Sequence, residues 1–373
     1  MTATTIRGRF QWTVATPIVA LVVLAATWVS HESWPVLVLI AAALVACIIA
    51  AVHHAEVVAH KVGEPFGSLI LAVSVTVIEV GLIVMLMTNG GEGTSTYARD
   101  TVFAAIMITV NGIVGISLLV GAAKHHLVSF NAAGTGAALS TVIALASVCL
   151  VLPSFTTSAA GRDYSPSQLV FAAIASLALY GAFVFTQTIR HRDFFLPVSS
   201  DEQGFVTGLL DEDEDGHADP PSTAEARLSA GLLLASLVAV VGLAKLLSPT
   251  IEDGVNSLGF PYAVVGVVIA LLVLAPESIS ALRNAARDRV QNSLNLAFGS
   301  AMASIGLTIP TIAIAMIWID GRLTLGLEPT QMVLLAITVV VAGLTVVPGR
   351  AKALQGFVHL VLFATFLFLS MQP

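Results

Sequence analysis

Charge is scarce in this chain of 373 residues: Asp, Glu, Lys and Arg together make up 10% of it, against about 25% in an ordinary soluble domain. Cysteine occurs only at Cys47 and Cys149. Both fall inside apolar runs, where they read as small packing residues and not as a disulfide. Sixteen basic residues spread over the whole chain form no cluster that would hold a nucleic acid. No pairing of nucleophile and base stands out, and the one stretch that invites a zinc reading lacks zinc spacing. In His54-Ala55-Glu56-Val57-Val58-Ala59-His60 the histidines are six apart with the glutamate displaced, which departs from H-E-x-x-H. His53 and His60, like His125, His126 and His359, read as interfacial histidines. The first apolar run follows Arg7 and Arg9 but is followed by no cleavage site, so it is expected to stay as a helix.

What is abundant is apolar sequence. Apolar residues make up 57% of the chain and the mean hydropathy is +0.93, more than one water-soluble core can bury. The apolar runs are about 20 residues long, enough for a helix to cross a hydrocarbon core about 30 Å thick. Eleven can be counted, from 12–29 at the start to 353–369 at the end. The expected fold is all-α and polytopic, with lipid as its solvent. If the N-terminus is cytoplasmic, twelve of the sixteen basic residues fall on the cytoplasmic side, leaving Arg99, Arg162, Lys245 and Arg322 opposite. The positive-inside rule then puts the N-terminus in and the C-terminus out.

The two halves share an order of features. Glu56 precedes Pro65 by nine residues, and Glu252 precedes Pro261 by nine. Each proline opens a long apolar run interrupted by one carboxylate, Glu79 in the first half and Glu277 in the second. Ala98-Arg99-Asp100 and Ala286-Arg287-Asp288 then open further runs, with Asn111 and Gly112, or Gly299 and Ser300, twelve and thirteen residues past the arginine. The copies start at the second and seventh runs. An odd offset inserts the second copy upside down, as in secondary transporters that bind substrate between inverted repeats. The expected organisation is an N-terminal helix over residues 1–31, a five-helix repeat over 32–189, a linker over 190–227 and a second five-helix repeat over 228–373.

A carboxylate at bilayer depth costs about 2.5–3.5 kcal/mol on insertion scales, so it faces a partner or a pathway. Glu79 lies near the middle of its run. Glu277 follows Pro276, which removes a backbone donor and is expected to break or kink the helix. Ser74, Thr76, Asn111, Ser278, Ser300, Ser304 and Thr308 supply oxygen on the same four runs, the donor type that hard cations such as calcium take. Two glutamates neutralise one divalent ion. Left without that ion in an apolar site, they take up protons, so cation and proton exclude one another. Glu56 and Glu252 at helix ends are candidate access points. The linker contains Asp211, Asp213 and Asp215 in a D-x-D-x-D-G pattern, but Ser222 stands where an EF-hand needs its bidentate glutamate. It reads first as an acidic solvated linker and second as a weak calcium site.

The segments Glu56-Val57-Val58-Ala59-His60-Lys61-Val62-Gly63-Glu64-Pro65-Phe66-Gly67, Ser74-Val75-Thr76-Val77-Ile78-Glu79 and Pro276-Glu277-Ser278-Ile279-Ser280-Ala281-Leu282-Arg283 resemble the bacterial calcium/proton antiporters of the cation/calcium exchanger superfamily. The resemblance spans nearly the whole chain. It implies a secondary transporter of a bacterial inner membrane that needs no cofactor and exchanges Ca2+ for H+ by alternating access, with Glu79 and Glu277 as the ion-binding acids. The superfamily's commoner Gly-Asn before the acid is replaced here by Val-Ile and Ala-Pro, which leaves Na+/H+ or K+/H+ exchange as the alternative. An intramembrane hydrolase or a passive channel are the readings from other classes. A hydrolase would need the missing nucleophile and base, and a channel would need no groups that trade cation for proton. The implied partners are membrane lipid and inorganic cations, with no nucleic acid.

Overall fold

Backbone N–H and C=O groups in lipid must find partners within their own segment, so the apolar runs fold as helices. The computed structural model describes residues 4–31, 33–63, 66–88, 93–196, 198–200, 206–209, 221–319 and 321–373. Ten helical segments in it are long and apolar enough to cross a membrane. The eleventh expected span is α1 (Thr4–Thr27), whose apolar part, Trp12–Thr27, is shorter than the others. The chain is an integral membrane protein with almost no sheet. Its strands among the described residues run two to four residues each: β1 (Val128–Ser129) pairs antiparallel with β4 (Arg350–Ala351), and β2 (Val198–Ser200) pairs with β3 (Val206–Leu209).

The chain divides into two compact units, each drawing on both halves of the sequence. One comprises residues 1–94 and 217–259, the other 95–216 and 260–373. The first holds α1, α2 (Trp34–Val62), α3 (Phe66–Thr88) and α8 (Thr223–Ser257), with α8 packed along α1, α2 and α3. Small residues permit the close crossings. A Cβ on Gly81 would lie 2.5 Å from Val241 Cγ2, and one on Gly242 would lie 2.5 Å from Leu24 Cδ2. His54, 1% exposed, shares a hydrogen bond with Ser229 Oγ at 3.3 Å and another with the Thr13 carbonyl at 3.1 Å. It ties α1, α2 and α8 together. The helix ends repeat as the sequence pattern does. Gly63 caps α2 at φ 75° and Gly259 follows α8 at φ 71°, a positive φ that glycine takes without strain.

The second unit holds the remaining helices. The Tyr97–His125 span is α4 (Tyr97–Met107) and α5 (Val114–His125), joined by a π turn over Ile108–Ile113. Next come α6 (Ala132–Ala146), α7 (Pro166–Phe185) and α9 (Ala263–Ala285). The expected single span 293–319 is broken into α10 (Val290–Gly306) and α11 (Thr308–Ala315). Two features explain the break. Pro310 has no N–H to offer the Gly306 carbonyl, and a Cβ on Gly306 would lie 2.8 Å from Tyr180 Cβ on α7. By contrast α9 runs continuously through Pro276, so of the expected break or kink the break does not occur. The surrounding helices hold α9 together although the Leu272 carbonyl loses its usual donor. Finally α12 (Pro329–Val346) and α13 (Ala353–Met371) complete the unit.

Candidate functional site

Each half contributes one carboxylate buried within an apolar membrane helix. Glu79 on α3 is 2% exposed and Glu277 on α9 is 8% exposed. The two belong to different compact units, Glu79 with Ser74 and Thr76 in the first, Glu277 with Asn111, Ser278, Ser300 and Ser304 in the second. Ser74 and Thr76 are buried on α3, and Thr76 stands one turn before Glu79 on the same helix face. In the second unit α9 packs against both α10 and the π turn. The helix bearing Glu277 therefore meets the segments that carry Ser300, Ser304 and Asn111. Ser300 is half-buried, and Ser304 is buried.

Ser74, five residues before Glu79, and Ser278, the residue after Glu277, are oriented alike along their helices. Ser74 donates to the Ile70 carbonyl at 2.7 Å, and Ser278 donates to the Leu274 carbonyl at 2.7 Å. With each proton sent back along its own helix, the lone pairs point outward as acceptors. That suits oxygen coordination of a cation. Thr308, at the α10–α11 break, is 0% exposed with its Oγ1 unpartnered among the described residues.

Asn111 is committed elsewhere. Its Nδ2 donates to Thr338 Oγ1 at 2.8 Å, and its Oδ1 faces His359 Nδ1 at 3.0 Å. An amide oxygen only accepts, so His359 carries its proton on Nδ1 and its Nε2 accepts from Thr345 Oγ1 at 3.1 Å. Thr338 in turn reaches Met107 Sδ at 3.7 Å. The result is a buried chain of hydrogen bonds running from Thr345 to His359 to Asn111 to Thr338 to Met107, linking α4 and the π turn to α12 and α13. His359 and Asn111 are both 0% exposed. His359 is thus a core residue and not an interfacial one. Sequence reading missed this chain because Asn111 and His359 lie 248 residues apart. The π turn at Ile108–Ile113, a feature that recurs at functional sites, was equally invisible in the hydropathy.

Among the remaining expected residues, Glu56 on α2 is exposed and Glu252 on α8 is half-buried. Asp211, Asp213 and Asp215 lie outside the described residues. The repeated Ala-Arg-Asp motif takes two different forms. Arg99 and Asp100, in the first turn of α4, are 5% and 3% exposed and pair at 2.8 Å, while Arg287 and Asp288 are exposed in the connection to α10. Gln331 Nε2 donates to Asp100 Oδ1 at 3.2 Å, and Glu328 Oε1 accepts from Arg162 at 2.9 Å and lies 3.7 Å from Arg99. These charges are paired with one another. Among the described residues no group of three or more His, Cys, Asp or Glu side chains is placed to hold a metal ion.

The model of the sodium/calcium exchanger protein family matches residues 32–189 and again 228–372. The chain is 44% identical over 359 residues to y4hA of Sinorhizobium fredii, a protein named as an ionic transporter, covering 94% of each chain. It is 35% identical to the sodium-potassium/proton antiporter ChaA of Escherichia coli, covering 94% of this chain and 93% of that one. A Ca2+/H+ antiporter of Aphanothece halophytica is 23% identical over 81% of this chain. Among solved structures, native YfkE superposes with a TM-score of 0.72 at 15% identity, covering 98% of this chain and 99% of that one. The H+/Ca2+ exchanger CAX gives 0.67 at 14% identity, covering 97% and 88%. At these identities the structures speak for a shared fold. Two family matches that account for ten of the eleven expected spans, in a bundle with the same fold as solved exchangers, lead to one assignment: the chain belongs to the sodium/calcium exchanger protein family and is an integral membrane antiporter of the cation/calcium exchanger type.

Proposed function

We propose that this antiporter exchanges a cation for protons by alternating access, with Glu79 and Glu277 binding the cation and the protons in turn. The observation that carries the reading is the pair of carboxylates, one per half, each buried within an apolar membrane helix. Two ionised carboxylates match the charge of one calcium ion, and the hydroxyls on the same helices are oxygen donors of the type it takes. When the cation leaves, apolar surroundings favour the protonated acids. Calcium/proton exchange is the reading this charge supports. Exchange of Na+ or K+ is the second, favoured by the name of the relative that is 35% identical over nearly the whole chain.

The test is proton flux in proteoliposomes, with Ca2+, Na+ and K+ added separately across a pH series. Calcium-driven collapse of an imposed pH gradient supports the first reading, and a response to Na+ or K+ alone supports the second. Glu79→Gln and Glu277→Gln keep side-chain shape but remove charge and titration. Each is expected to lower exchange at least about a hundredfold, the loss of roughly 3 kcal/mol of ion binding, with membrane insertion intact. Full exchange in either variant would remove the two-carboxylate mechanism.

A further inference from the structure

One face of the second unit carries a cavity of about 780 Å3 that the exchange mechanism does not use. Its walls come from α7 and from α11 with the turn after it, segments within or beside the apolar spans Pro166–Arg190 and Val290–Ala315. Val170, Ile174, Ile314 and Ile317 line it and are 58%, 63%, 54% and 72% exposed, so it opens to whatever surrounds the protein. For apolar helix faces in a bilayer that surrounding is lipid. The mouth, where α7 begins and α11 has ended, is charged. Arg322 donates to Asp163 Oδ2 through Nε at 3.0 Å and through Nη2 at 2.7 Å, and from Nη2 to the Ala160 carbonyl at 3.3 Å.

That pairing leaves two functions unused. The Arg322 side chain is 67% exposed, and its Nη1 has no partner among the described residues. Asp163, 14% exposed, has its Oδ1 buried and without a donor. The mouth thus holds an exposed cationic donor beside a carboxylate that lines the cavity with one oxygen still lacking a donor, and an apolar groove runs away from them along two helices. We propose that the groove is a binding site for a phospholipid with a primary ammonium headgroup, phosphate on Arg322, ammonium on Asp163 and an acyl chain between α7 and α11. Moving an acyl chain from bilayer to groove gains little, because lipid tails are as apolar as the walls. The charged mouth therefore decides which lipid stays. A choline headgroup has no N–H to give Asp163 Oδ1, and an anionic headgroup brings no cation to it.

Native mass spectrometry of the purified full-length protein, offered equal amounts of dioleoyl phosphatidylethanolamine, phosphatidylcholine and phosphatidylglycerol, tests this. One retained phosphatidylethanolamine per chain is expected. Arg322→Gln should lower its retention about tenfold, the loss of one charge-assisted hydrogen bond. Asp163→Asn should erase the preference over phosphatidylcholine while leaving residual lipid bound. Ala173→Trp, which fills the groove without touching either charge, should lower retention of all three lipids. Equal retention of the three lipids by the unaltered protein would overturn the proposal, as would a preference that survives Asp163→Asn. So would self-association that Ala173→Trp abolishes with no lipid held, since the groove would then be a contact between copies of the chain.

Discussion

His359 shows what a single side chain does in a dry bundle. Its two ring nitrogens hold Asn111 and Thr345, and a buried partner left unsatisfied costs about 1–3 kcal/mol. His359→Leu orphans two groups and is expected to destabilise the protein by about 2–5 kcal/mol, read as a large drop in the thermal midpoint in detergent. His359→Asn places an N–H near the Nδ1 position, keeps the bond to Asn111 and should recover part of the loss. Because the two residues belong to one network, Asn111→Ala combined with His359→Leu should lose less than the sum of the single changes. None of this was legible in the sequence. Glu79 and Glu277 stood out because a carboxylate in an apolar run breaks its own surroundings. A histidine satisfied by residues far along the chain leaves no local trace, and Asn111 looked like a free ligand for the same reason.

At the scale of elements, hydropathy located the helices and small residues decided how they cross. The contact of α13 with α5 is the clearest instance. A Cβ on Gly356 would lie 2.5 Å from the Leu119 nitrogen and 2.7 Å from the Gly115 carbonyl oxygen, and one on Gly115 would lie 3.0 Å from His359 Cβ. The atoms met by Gly356 are backbone and cannot rotate away. Gly356→Val is expected to destabilise the bundle by about 3 kcal/mol or more and to reduce the yield of folded protein in detergent. Gly343 on α12 has nothing within 4 Å of its would-be Cβ. Gly343→Ala should be neutral or stabilising by up to about 1 kcal/mol through helix propensity, as thermal unfolding will show. The interruptions were only half legible. Gly306 and Pro310 mark the α10–α11 break in the sequence, but the π turn at Ile108–Ile113 has no composition of its own, and Pro276, which reads as a break or a kink, sits in a helix that runs on through it.

For the whole molecule, the charge distribution proposes an orientation that accessibility can test. With the N-terminus inside, a cysteine at Arg190 should react with a membrane-impermeant maleimide only from the cytoplasmic side, and one at Arg322 only from the outside. Labelling of both from one side would overturn the proposed orientation. The native thiols will not interfere, since Cys47 and Cys149 are each 0% exposed. The sequence repeats an order of motifs within residues 32–189 and 228–373, and the family model matches residues 32–189 and 228–372. The compact units were not readable, because each is assembled from stretches of both halves, and hydropathy carries no information on which helix packs on which.

The donor chain from Thr345 to Met107 also has a direction. The three inner members, His359, Asn111 and Thr338, each donate one way and accept from the other, so none of them can be exchanged alone for a side chain of opposite sense. Over evolutionary time such a string should drift as a block. In relatives where position 359 is no longer histidine, position 111 should have ceased to be asparagine as well, and the apolar residues that replace them should arrive together.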